Sequence, residues 1–328
     1  MRAGRRNFRI GALIALALGL ASVAHAQTYP VKPITLVMPY PPGGGTDFMA
    51  RTIMQKLERR LGQPVIFDYR PGAGSAIAAS YVARQPADGY TILYATSTTM
   101  AINVSVHKQL SYDPVRDFAP IALFAVTPFV LVVNANLPVR SVADLVSYAK
   151  AKPGALSYAS NGPGGAAHLF AELTKTMLGI EMTHVPYKGN APALNDVVAG
   201  HVSLMFVDPS ASVQLVREGK LRALGVTTAK RVSTAPELPP LAEAGLPGYD
   251  AASWHMFVAP AATPKPIVYR LYAEIDALIK EPDVVAEISK RGFEPSAGGP
   301  PEQLVTFVQT EIDRWAKVVG KAGAAGIE

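Results

Sequence analysis

Two glycine-rich turns are the parts of this chain whose residue types and spacing could do chemistry. The first, Pro39-Tyr40-Pro41-Pro42-Gly43-Gly44-Gly45-Thr46-Asp47, lies between an apolar run and an amphipathic stretch. Its three glycines let main-chain N–H groups approach a guest with no Cβ in the way. The helix that follows turns its positive end toward the same point, and an anion is the natural guest. The alternative for this segment alone is a plain turn in which Thr46 or Asp47 caps the helix. The second turn, Ser160-Asn161-Gly162-Pro163-Gly164-Gly165, also follows an apolar run and opens a helix carrying His168. Neither turn contains Lys or Arg, so negative charge would be met by N–H groups, helix dipoles, hydroxyls and bridging water. A hydrogen bond to a charged group contributes about 1.5–3 kcal/mol and a helix terminus up to ~2 kcal/mol. Several together reach the roughly 8 kcal/mol of a micromolar complex.

Further candidates lie elsewhere. Arg70-Pro71-Gly72-Ala73-Gly74-Ser75-Ala76-Ile77 imitates a dinucleotide fingerprint, but Ile77 stands where the third glycine belongs. Ala73 and Gly74 read better as a third backbone wall of a cleft, and Ser97 is a further candidate contact. Tyr187, in Val185-Pro186-Tyr187-Lys188-Gly189, could reach the cleft from a strand end. Asp208 precedes Pro209-Ser210 and is either a cleft acid or the cap of the next helix. Patterns for a nucleotide-binding P-loop, a serine nucleophile elbow or a zinc-protease helix are missing. The histidines after residue 26 are too scattered for a local metal motif. No catalysis, cofactor or metal is expected.

The elements that must position these turns alternate along the chain. Strands are expected at 34–38, 64–68, 90–95, 121–124, 130–133, 156–159, 183–187, 202–207, 223–227 and 253–258. Helices are expected at 47–61, 75–84, 142–150, 165–178, 191–199 and 210–218. This alternation predicts an α/β protein built on parallel sheets covered on both faces. The segments 264–279, 282–290 and 300–319 read as helices opening on proline, and they need a sheet to cover. A chain that leaves its first domain near Val126 and returns near Ala251 supplies one. Domain 1 would hold 27–126 with 252–328 and domain 2 would hold 127–251, with two crossing segments as a hinge. The first 26 residues read as a cleaved export signal: Arg2, Arg5, Arg6 and Arg9, an apolar run, then Ala24-His25-Ala26. The adjacent Arg5-Arg6 also suits a twin-arginine signal. Removing those four arginines takes Lys+Arg from 31 to 27 against 25 Asp+Glu, a net charge of +2. That balance gives no basic footprint for nucleic acid. Cysteine is absent, which excludes disulfides and thiolate chemistry.

In its ordered motifs the chain resembles the substrate-binding subunits of tripartite tricarboxylate transporters, the Bug family of periplasmic receptors. The resemblance rests on Tyr29-Pro30-Val31-Lys32-Pro33-Ile34, Pro42-Gly43-Gly44 with Thr46-Asp47, Pro71-Gly72-Ala73-Gly74 and Asp88-Gly89-Tyr90-Thr91. It continues in His184-Val185-Pro186-Tyr187-Lys188-Gly189 and Gly219-Lys220-Leu221-Arg222-Ala223-Leu224. It implies a type II periplasmic binding protein fold: two α/β domains, a ligand cleft between them and two crossing hinge segments. It also implies a monomer that grips a small carboxylate and delivers it to the membrane permease subunits of such a transporter. Carried over, Tyr40, Pro42, Gly43, Gly44, Gly45, Thr46 and Asp47 on one side, with Ser160, Gly162, Gly164 and Gly165 on the other, would hold carboxylate oxygens, partly through water. The family often has Phe where Tyr40 stands, and it matches Asp208 only loosely. Two other readings stay open: a sensor subunit serving a signalling partner, and an exported hydrolase or transferase with an unrecognised site.

Overall fold

A computed structural model describes residues 29–326 of the chain; the export-signal reading falls outside them. Among the described residues, eleven strands form two sheets. The first, in the order β11-β4-β10-β3-β1-β2, contains β1 (Ile34–Met38), β2 (Val65–Tyr69), β3 (Thr91–Thr96), β4 (Phe118–Thr127), β10 (Ser253–Pro260) and the short β11 (Glu294–Pro295). The second, in the order β7-β6-β8-β5-β9, contains β5 (Val130–Asn134), β6 (Ser157–Ser160), β7 (Thr183–Pro186), β8 (Leu204–Val207) and β9 (Leu221–Val226). The chain crosses from the first sheet to the second between Thr127 and Val130 and returns between Val226 and Ser253.

The expectation of purely parallel sheets is corrected: both are mixed. β1 runs parallel to β2 and β3, and β6 runs parallel to β7 and β8, but β10 is antiparallel to β3 and β4, and β5 is antiparallel to β8 and β9. The crossings are the reason. β4 carries the chain out of the first lobe and β10 brings it back beside β4, so the two must point in opposite directions. β5 likewise starts at the crossing and runs away from it. The carboxyl ends of β1, β3, β6, β7 and β8 consequently face the gap between the lobes, where ligands bind in open α/β sheets.

Strands such as β5 and β8 are buried at every residue, as expected for strands covered by helices on both faces. The three proline-opened helices form at Lys265–Leu278, Pro282–Lys290 and Pro301–Lys321. In the last, Leu304, Val308, Glu311, Trp315, Val318 and Val319 form one buried stripe, the spacing of an amphipathic helix. It covers β4, and Trp315 also meets Phe170 of the second lobe at 5.7 Å between ring centroids. The two-residue β11, a π-helical turn Thr98–Ile102 and the helical turn Asn103–Val106 that it runs into went unforeseen.

Candidate functional site

A cavity of about 450 Å³ opens between the lobes, within the roughly 300–1,000 Å³ usual for small-molecule sites. Three glycine-capped helix N-termini converge on it. The helix Gly45–Leu61 presents Gly45 and Thr46, the helix Ala166–Leu178 presents Ala166 with its cap Gly165, and the helix Asn190–Ala199 presents Asn190. Their N-caps are Gly44, Gly165 and Gly189, and none carries a side-chain cap. The first N–H groups of each helix have no partner within the helix and no side chain competes for them, which leaves donors from both lobes directed at one volume.

Of the residues singled out in the sequence, Tyr40, Gly45, Thr46, Gly74, Gly165 and Asp208 line the cavity. The remainder sit behind that surface or beside it. Asp47 is buried and accepts from the Gly43 N–H, from Tyr69 Oη and from Arg51 Nε. Burial opposes its ionisation, but those hydrogen bonds hold the carboxyl below its ordinary range, so Asp47 shapes the first loop as an anion. Pro42, Gly43 and Gly44 are exposed on that loop. Ala73 (φ +44°), Gly74 (φ +55°) and Ser75 (φ +78°) form a left-handed turn, strained at the two residues that are not glycine. It is held by Ser75 Oγ against Thr99 Oγ1 at 2.7 Å and by Asn103 Nδ2 donating to the Gly74 carbonyl at 2.9 Å. Ser97 is buried, with its hydroxyl 3.1 Å from that of the cavity residue Ser253.

In the second loop the side chains act on the loop itself. Ser160 is fully buried and its Oγ lies 2.7 Å from His184 Nε2, donates to the Gly162 carbonyl and accepts from the Gly162 N–H. His168 Nδ1 accepts from the Gly164 N–H at 3.0 Å, which requires that nitrogen to be unprotonated. The His168 and His184 rings stack at 4.1 Å, and Tyr158 stacks on His184 at 4.8 Å. Burial lowers the pKa of both imidazoles, that of His184 to about 4 with His168 adding to the effect. Tyr187 turns away and donates to Asp196. Asp208 does both things the sequence allowed: it lines the cavity and caps the helix Pro209–Arg217 by accepting from the Ala211 N–H.

Several lining residues escaped the sequence reading. His255 is buried between Tyr94 Oη (2.9 Å) and Thr127 Oγ1 (2.6 Å), and burial pushes its pKa down to about 3; it ties β10 to the end of β4 at the crossing. Phe129, Asn190 and Phe293 also face the cavity. The expectation of a site without a basic side chain holds for the two loops but not for the cavity, because Arg291 lines it. Its one visible sequence signal was Arg291-Gly292-Phe293 just past a helix end.

The family described as the tripartite tricarboxylate transporter family receptor matches residues 49–324. The chain belongs to that family. Among relatives of this receptor, Protein BugT of Bordetella pertussis is 36% identical over 316 residues, covering 96% of each chain. Among solved structures, an R. palustris protein with adipate is 44% identical with a TM-score of 0.79, covering 90% of the receptor and 99% of that chain. MatC from Rhodopseudomonas palustris with bound malate is 33% identical with a TM-score of 0.74, covering 89% and 100%. The periplasmic binding protein BugD is 33% identical with a TM-score of 0.75, covering 90% of the receptor and 99% of that chain, in keeping with the two-sheet α/β fold described above.

Proposed function

We propose that the chain is an exported solute receptor that closes two lobes, 27–126 with 252–328 and 127–251, on a small carboxylate. It then presents the loaded form, as a monomer, to the membrane subunits of a tripartite transporter without altering the ligand. The observation that carries this reading is the convergence of three glycine-capped helix N-termini, one from the first lobe and two from the second, on a single cavity. Each favours negative charge, and because they come from both lobes a bound anion selects the closed arrangement. Gly45, Thr46, Gly165, Ala166 and Asn190 are the contacts that this reading places on carboxylate oxygens. Adipate and malate bound by the structural neighbours are carboxylates of suitable size.

A thermal-shift and calorimetric screen tests it, comparing carboxylates with their uncharged amides. Carboxylates should raise the melting temperature, since a ligand of the native state adds apparent stability, while the matched amides should not. A Cβ at Gly44 meets no neighbouring atom, so Gly44→Val should melt like the parent yet lose the carboxylate-induced rise. Equal response to amides and acids would discard the reading.

A further inference from the structure

One ring shapes the second-lobe turn from behind. His168 is the third residue of the helix Ala166–Leu178, and its Nδ1 reaches back to accept from the Gly164 N–H at 3.0 Å. Glu or Gln commonly makes a reach-back of this kind from that position. A carboxylate there would set a negative charge beside N–H groups that open on the cavity, whereas a neutral imidazole accepts a hydrogen bond without one. The bond bears on the whole turn. Gly164 takes φ +70° against Val106 of the first lobe, and Gly165 and Ala166, which line the cavity, follow it directly.

The surroundings of the ring keep that nitrogen bare. His184 of β7 stacks on it at 4.1 Å, and Tyr158 of β6 lies nearly parallel at 6.2 Å. From its own helix the ring feels Glu172 and Lys175, which act in opposite senses. Glu172 accepts from Tyr158 Oη and, at 2.9 Å, from Lys175 Nζ, so its charge is already paired; Lys175 also lies 3.9 Å from the exposed Glu181. Burial is the largest effect and holds the His168 pKa below its ordinary 6.5. A proton on Nδ1 would leave two donors facing each other across 3.0 Å, so either the ring or the turn must move.

We propose that His168 is the positioning residue of the second anion-binding loop: its bare Nδ1 fixes the Gly164 N–H, and with it the direction of the Gly165 and Ala166 donors, so that a carboxylate on the loop and a proton on this nitrogen exclude one another. The inference rests on the carboxylate-receptor reading above and deepens it. Because the loaded form needs the neutral ring, affinity is level above pH 6.5 and weakens as pH falls through the lower pKa of His168 in the ligand-free fold, a proton being taken up as the carboxylate leaves. A charged ring would also attract an anion through the loop, so tighter binding in acid is the opposite signature.

Calorimetry with acetate, malate, adipate and benzoate at pH 7.5, 6 and 5 tests this on the parent, His168→Asn and His168→Leu. Asn Oδ1 stands where Nδ1 does and accepts without titrating; Leu does neither. The acid that binds the parent best should bind it about tenfold more weakly at pH 5 than at pH 7.5, over and above the change in His168→Asn, which registers protonation of the acid itself and of every other group. At pH 7.5 His168→Asn should stay within about threefold of the parent, and His168→Leu should be weaker by about tenfold or more at every pH, since it leaves the Gly164 N–H unpaired. Thermal melts at each pH identify the protein that stays folded; if His168→Leu does not fold, the profiles of the parent and His168→Asn decide. Parallel profiles for those two, tighter binding of the parent in acid, or parent affinity in His168→Leu overturns the inference and leaves the receptor reading standing. A parent that binds none of the four acids at pH 7.5 removes the receptor reading and this inference with it.

Discussion

Gly164 offers a quantitative test of lobe closure. It takes φ +70° in the second-lobe loop, and a Cβ built there would stand 2.9 Å from Cγ1 of Val106, which belongs to the first lobe. Gly164→Ala therefore adds two separable costs. A left-handed backbone at an L-residue costs about 1–2 kcal/mol, and it is present whether the lobes are apart or together, so it should appear as lost global stability. The contact with Val106 is well inside the ~3.5–4.0 Å of ordinary carbon packing, and overpacking of that kind costs about 1–3 kcal/mol. That second cost arises only where the lobes approach, so it should appear as weakened binding, roughly fivefold to a hundredfold at 1.4 kcal/mol per decade. Denaturant unfolding reads the first and calorimetry the second. Val106→Ala in the same chain should restore most of the affinity without restoring the stability, a coupling that a double-mutant cycle isolates. Native affinity in Gly164→Ala, or a double variant as weak as the single, would show that this loop does not meet the first lobe when the ligand is held.

Acid should weaken the receptor through the imidazole stack. His184 has its pKa lowered from 6.5 to about 4 in the fold, so the unfolded chain binds the proton first, and stability falls as pH drops through 6.5 and levels off below about 4. The loss from His184, discounted for partial exposure, is on the order of 1–2 kcal/mol; urea melts at pH 7, 5.5 and 4 read it, and His184→Gln should make the profile shallower, with buried His255, lowered to about 3, supplying much of the slope that remains. A pH-independent midpoint would refute the neutral stack. Glu311 accepts from both Trp254 Nε1 (2.9 Å) and Trp315 Nε1 (3.1 Å) inside the molecule. Glu311→Leu leaves both indoles unpaired and should cost about 2–4 kcal/mol, seen as a lower denaturation midpoint with near-native binding in the protein that stays folded.

Much of the architecture was legible because glycine and proline punctuate it. Pro264, Pro282 and Pro300 mark helix starts, and runs such as Val130 to Val133 are too apolar for anything but a doubly covered strand. The direction of β5 and β10 was not legible, since hydrophobic pattern is blind to which way a strand runs; only the two crossings decide it. The turn Thr98–Ile102 was hidden because Thr-Thr-Met-Ala-Ile has no helical stripe, and it forms by packing against the last helix. At the site, the glycine loops marked two of the helix N-termini that open on the cavity, yet Ser160 and His168 turned out to brace their loop from behind. Arg291, His255 and Phe293 reach the cavity from the carboxyl-terminal third of the chain, a proximity that no local spacing encodes.

If, as proposed, peptide groups at three glycine-capped helix starts hold the charged end, that grip does not depend on the side chains lining the cavity around it. The walls supplied by Phe129, Asn161, Ser210 and Phe293 are then free to vary with the shape of the guest. A small library at those four positions could retool the receptor for a longer, branched or aromatic frame while its handhold on the acid group stays untouched.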